Sequence, residues 1–177
     1  KKKKNFHYLP IPVDKNIEKL KIYETTNQIN DVFFSMSHGV NRGKLKRDKQ
    51  DERHNFISDL INFCPNIIFD IYGYKQREPV WADDFYKVIV NSKMALNLSR
   101  GKPLKYLTSN RIASLIGNGL LTFIDKKTKL NNFFNKNEVI FYNNINDLAD
   151  KLNYFKSNDK KRIQVARNGR KKYFKLF

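Results

Sequence analysis

Between residues 106 and 123 the chain reads YLTSNRIASLIGNGLLTF, and the side chains there with chemistry to offer are Ser109, Asn110 and Arg111. Ser109 or Asn110 can accept hydrogen bonds from the first free N–H groups of a helix. Ile112, Leu115 and Ile116 then share one helical face, and Gly117-Asn118-Gly119 can form a left-handed C-cap before an apolar strand. A helix dipole favours acids in the first turn, so an arginine there is unfavourable unless an external anion such as a phosphate completes the site. An ordinary αβ connection with a solvated arginine fits the same residues, and the motif alone leaves both readings open.

Other reactive side chains are sparse. His7, His38 and His54 are too scattered to form a metal motif, and nothing resembles a catalytic triad. Asp83-Asp84 reads as the capping region of a helix rather than a metal pair. Cys64 beside Pro65 is a buried spectator, which excludes an internal disulfide and a cysteine cluster for zinc. No motif calls for a metal or cofactor.

The elements that would position Arg111 alternate along the chain. Residues 31–37 (DVFFSMS) form a short apolar run followed by a glycine-bearing loop from His38 to Gly43. From Asp51, Phe56, Ile57, Leu60 and Ile61 repeat at helical spacing until Pro65, and 67–72 (IIFDIY) is a second strand. A helix over 83–92 and a strand over 94–98 follow. Beyond the Arg111 helix come a strand at 120–124, a helix at 126–134, a strand at 139–142 and a helix carrying Ile145, Leu148, Leu152 and Phe155, capped by Asn144. Five apolar strands, each followed by a helix, predict an α/β, Rossmann-like parallel sheet with helices on both faces. Ligands of such sheets bind beyond the carboxyl ends of the strands, where the Gly39, Gly73, Ser99 and Arg111 loops would meet. No internal repeat is visible.

The 177 residues suffice for one domain with a sizeable core, and 40% hydrophobic content with 14% aromatics agrees. The four opening lysines without a methionine, running into HYLPIPVD, suggest part of a longer protein. We expect 1–30 to be a linker or entry segment and 31–177 to form the Rossmann-like domain. No run approaches 18 apolar residues and no signal peptide is apparent, so a cytoplasmic location is expected. The net charge of +18 suggests nucleic acid, anionic lipid or phosphorylated ligands. Of the 35 basic residues 26 are lysine, so the nine arginines are the more informative phosphate ligands.

Taken in order, HYLPIPVD, DVFFSMSHGVNRG, NLSRG, TSNRIASLIGNGLLTF, EVIFYNNINDLADKL and RIQVARNGRKKYF resemble the nucleotide-sugar-binding half of two-domain (GT-B) glycosyltransferases. The resemblance is closest to the bacterial "glycosyl transferases group 1" branch with spore-maturation-protein-like members, and it spans 6–177. It implies a chain that binds a nucleoside-diphosphate sugar and serves transfer to a glycan, lipid-linked or protein acceptor, as in polysaccharide biosynthesis. The acceptor domain and the catalytic base would then lie outside this chain.

Carried over residue by residue, the resemblance places the donor diphosphate near Gly39, Arg42 and Lys46, with His38 a further phosphate contact. It also places Ser99, Arg100, Ser109, Asn110 and Arg111 around the phosphates, where they would stabilise the departing nucleoside diphosphate. Tyr72 and Tyr74 follow the second strand, where a base can be sandwiched, although aromatics at a strand end also serve as core. Where many relatives bind the ribose through a glutamate this chain has Ser114, and no glutamate occurs between Glu78 and Glu138. Ser114 would bond a ribose hydroxyl more weakly or merely pack the helix, and donor identity and stereochemistry stay open.

Two further readings compete. A basic α/β module could bind nucleic acid or another polyanion without catalysis, but the charge is dispersed over 1–4, 44–49 and 160–175 instead of being interleaved with aromatics. The C-terminal stripe of Ile163, Ala166, Tyr173, Phe174 and Phe177, flanked by lysines and arginines, suits helix packing or attachment to the anionic inner face of the membrane.

Overall fold

The computed structural model describes residues 11–37 and 52–176. Five strands form one wholly parallel sheet: β1 (Asn30–Ser35), β2 (Phe69–Tyr72), β3 (Ser92–Asn97), β4 (Leu121–Asp125) and β5 (Ile140–Tyr142). Their order is β2-β1-β3-β4-β5, with Val32 paired to both Phe69 and Met94, and Met94 to Leu121. The chain runs from β1 outward to β2 and then returns across β1 to β3. The topological switch therefore falls between β1 and β3, where sheets of this type bind ligands.

Side-chain alternation along the strands builds a core on each face. Val32, Phe34, Met94, Leu96, Leu121 and Phe123 meet Ile57 and Leu60 of α1 (Glu52–Phe63) and Leu148, Leu152 and Phe155 of α4 (Ile145–Ser157). On the other face Phe33 and Ala95 pack with Ile89 of α2 (Ala82–Ile89) and Leu115 of α3 (Asn110–Gly117), while Ile124 packs with Ile112 and Ile116. Strands buried on both faces account for the continuous apolar runs in the sequence. Helix α5 (Asp159–Leu176) places Val165 and Ala166 in the first core and Tyr173 beside Ile112 and Phe134 in another.

The expected helix at 126–134 is absent, so not every strand is followed by an α-helix. Two 3₁₀ turns, Lys126–Thr128 and Leu130–Asn132, stand there, separated by Lys129 in a left-handed conformation at φ 57°. The Asp125 carboxylate accepts the Lys127 N–H at 2.8 Å and the Thr128 hydroxyl donates to the Asp125 carbonyl at 2.7 Å, which closes a tight turn in place of an α-turn. Helix α2 ends at Ile89 rather than 92, because Ser92 already pairs with Asn30 as the first residue of β3.

Residues 11–24, expected to belong to a linker, lie packed along α3 and α5. Ile22 and Tyr23 are buried in a 3₁₀ turn, Ile22–Glu24. The Leu20 N–H reaches the Asn118 side chain at 3.0 Å and the Ile22 N–H reaches the Asn118 carbonyl at 2.9 Å. Gly119, at φ 79°, lets the chain turn out of α3, and a Cβ there would lie 2.5 Å from the Tyr23 ring.

The C-terminal stripe is largely spent on packing. Ala166 and Tyr173 are buried and Ile163 packs against the core, so these residues are not available to a bilayer. Among the described residues no helix is long and apolar enough to cross a membrane.

Candidate functional site

Helix α3 begins as its sequence predicts. Ser109, in an extended conformation, accepts the Ile112 N–H at 3.4 Å, and no acidic residue occupies the first turn. The far end closes with Gly119 N–H on the Ile116 carbonyl and Leu120 N–H on the Leu115 carbonyl, the paired bonds of a Schellman stop. The start of the helix thus faces the carboxyl ends of β1 and β3.

Arg111 spans that switch point. Its guanidinium donates to the Leu98 carbonyl just past β3 at 3.0 Å and sits 5.0 Å from the ring of Phe34 on β1. Around it lies a cleft of about 440 Å³, within the size range of small-molecule sites. Ser109, Asn110, Arg111 and Ser114 form one wall, and Ser35 and Ser37 come from the end of β1. Trp81, Phe85 and Tyr86, from the start of α2, make the other. Among the described lining residues there is no carboxylate or histidine.

Four of the residues singled out from the sequence therefore come together: Ser109, Asn110, Arg111 and Ser114. Ser99 is half-buried and Arg100 exposed just past β3, and neither lines the cleft. Tyr72 and Tyr74 do not line it either. The Arg77 guanidinium covers the Tyr72 ring at 3.7 Å while pairing with the Asp70 carboxylate at 2.7 Å. Tyr74 is buried in the core with its ring 5.0 Å from that of His54. Burial pushes the Asp70 carboxyl above its ordinary range despite Arg77, and burial with the Asp70 charge raises the Tyr72 hydroxyl. His38, Gly39, Arg42 and Lys46 lie outside the described residues.

The sequence reading singled out none of the other lining residues, and it also missed Arg53. Arg53 of α1 is buried and donates to the Ser37 carbonyl at 3.4 Å, buttressing the edge of the cleft; its only sequence signal is a charge at a helix position that tertiary contacts bury. Trp81 is 60% exposed while lining the cleft, and being the single tryptophan of the chain was its only signal. Asp83 and Asp84 occupy the first turn of α2, with Asp84 paired to Lys87 at 2.8 Å. Among the described residues no group of three or more His, Cys, Asp or Glu could hold a metal ion.

A wholly parallel α/β sheet with helices on both faces and a ligand-sized cleft at its switch point defines a Rossmann-like α/β domain. A family model described as glycosyl transferase-like matches residues 49–176, and the chain belongs to that family. The match runs from before α1 to the end of α5, so it contains both Arg111 and Trp81. No curated protein matches the chain at a significant level.

Proposed function

We propose that this chain is the donor-binding half of a two-domain GT-B glycosyltransferase of the group 1 branch, and that the cleft at α3 takes a nucleoside-diphosphate sugar. Family membership makes glycosyl transfer the class of reaction. The observation that carries the finer reading is Arg111, held over the β1/β3 switch by the Leu98 carbonyl in a helix turn without an acid.

In this reading the diphosphate lies against the first N–H groups of α3, with Ser109, Asn110 and Arg111 as ligands and Ser114 near a ribose hydroxyl. As the bond between the sugar and the diphosphate breaks, negative charge grows on the leaving phosphate oxygen. Fixed donors aimed at that oxygen stabilise the transition state more than the ground state. The acceptor hydroxyl must lose a proton as it attacks. The described cleft offers no carboxylate or histidine for this, so we assign the base to a group outside it.

The test is isothermal titration calorimetry of the chain with nucleoside diphosphates across a range of salt concentrations. One nucleoside diphosphate should bind saturably, with affinity that tolerates salt. A steep salt dependence for polyanions, with no mononucleotide binding, would instead identify a polyanion-binding module.

A further inference from the structure

Trp81 is in an unusual place for a large aromatic. It occupies the N-cap of α2, a position that favours Ser, Thr, Asp or Asn, and its side chain makes no cap hydrogen bond. The next residue, Ala82, sits at φ 48°, a left-handed conformation unfavourable for alanine. Neither local cost is offset by burial of the indole, which is 60% exposed. Local rules broken at the rim of a cleft, without a packing gain, point to a ligand-facing role.

The opposite wall decides what kind of ligand. Arg111 and the start of α3 present positive charge and donors on one side, while Trp81, Phe85 and Tyr86 present aromatic surface on the other. The edge-to-face stacks of Phe85 on Phe33, at 5.3 Å, and of Tyr86 on Phe85, at 5.8 Å, brace that wall against the sheet. A ligand complementary to both walls is anionic at one end and flat and aromatic at the other. We infer that Trp81 is the stacking platform for the nucleobase of the donor, an inference that rests on the function proposed above. It makes Trp81 a residue that sets base affinity, whereas Tyr72 is covered by Arg77 and Tyr74 is buried in the core.

Because Trp81 is the only tryptophan, its emission reports on this one spot. The experiment titrates the chain with UDP, GDP, ADP, CDP and inorganic pyrophosphate, following tryptophan fluorescence and calorimetry in parallel. At least one nucleotide should change the emission saturably, while pyrophosphate displaces it without reproducing the change. Trp81→Ala should weaken that nucleotide by about 5- to 150-fold, the worth of one base stack, and leave pyrophosphate affinity unchanged. Trp81→Phe should recover most of the loss. Nucleotide binding by calorimetry with unaltered emission, and with full affinity in Trp81→Ala, would overturn the inference and leave the proposed function standing. Failure of all four nucleotides to bind would overturn the proposed function and this inference with it.

Discussion

Replacing Arg111 separates a phosphate ligand from a structural clamp. In the free protein the guanidinium already donates to the Leu98 carbonyl at 3.0 Å and lies 5.0 Å from the Phe34 ring. Arg111→Ala removes both contacts, a loss of about 1–2 kcal/mol of stability for one hydrogen bond and a half-buried cation–π contact. Relief of the unfavourable charge at the start of α3 returns about 0.3–1 kcal/mol, so the net change in stability is small. Binding should respond differently. A charge-assisted hydrogen bond to a phosphate contributes about 1.5–3 kcal/mol, which converts to about 10- to 150-fold in affinity. Arg111→Lys keeps the charge but loses the planar fork, so its affinity should fall between those of the alanine variant and the parent. The assay is calorimetric titration with the nucleoside diphosphate that binds the parent, alongside a thermal melt of each variant. A lowered melting temperature with unchanged affinity would show that Arg111 only ties α3 to β3, and the phosphate assignment would fall.

Three more outcomes follow from the geometry. Burial pushes the Asp31 carboxyl up, but the Ile68 N–H at 2.9 Å, Lys156 at 2.7 Å and Lys93 outweigh it and hold the carboxyl below the usual carboxylate range. The stability it adds is therefore present above about pH 4 and lost as pH falls through the lowered folded value. Asp31→Asn should cost about 1–3 kcal/mol at pH 7, less than a fully buried pair because the lysines reach solvent, and denaturant titrations at pH 7 and at successively lower pH should show that deficit shrinking in acid. Gly169→Ala places a Cβ 2.2 Å from the Glu138 carbonyl oxygen, so overpacking of about 1–3 kcal/mol should exceed the gain in helix propensity of about 1 kcal/mol; a raised melting temperature would contradict the tight α5 contact. Finally, the chain alone should bind donor without transferring sugar, since general-base help contributes about 10²- to 10⁴-fold and the described cleft holds no such base; turnover of about 1 per second or more would place the base within these 177 residues.

What the sequence made legible was local chemistry. The apolar runs bounded by glycine and proline located all five strands to within a few residues, and the caps Ser109 and Asn144 are where the side-chain pattern put them. Residues 126–134 differ from the expected helix because Leu130 and Phe134 have helical spacing, whereas the bonds that Asp125 accepts from the Lys127 N–H and the Thr128 hydroxyl decide the backbone. The site was half legible for a related reason. Ser109 to Ser114 lie on one short helix, so their sequence spacing already places them together. Trp81 reaches them only through the crossover from β2 to β3, and Tyr72 is screened by an arginine five residues on. No short-range pattern contains either fact.

The same distinction explains how a helix of only eight residues can serve as a fixed electrostatic wall. Isolated helices of that length are unstable in water, so α3 depends on what grips its ends. At the start, Thr108 beside the Ser109 cap accepts the Ile11 N–H at 3.1 Å, and the Ile11 carbonyl in turn accepts from the Tyr173 hydroxyl at 2.8 Å. At the far end Asn118 is bonded to Leu20 and Ile22. The segment from 11 to 22 therefore holds both ends of α3 against α5, while Arg111 ties the first turn to β3. Under the proposed function, dipoles held this way would already be oriented when charge develops on the donor phosphate, and orientation that need not be gained during the reaction is what makes such donors effective. The N-terminal segment thus contributes to the site by fixing the helix that carries it, although its own residues touch Thr108 and Asn118 rather than the cleft.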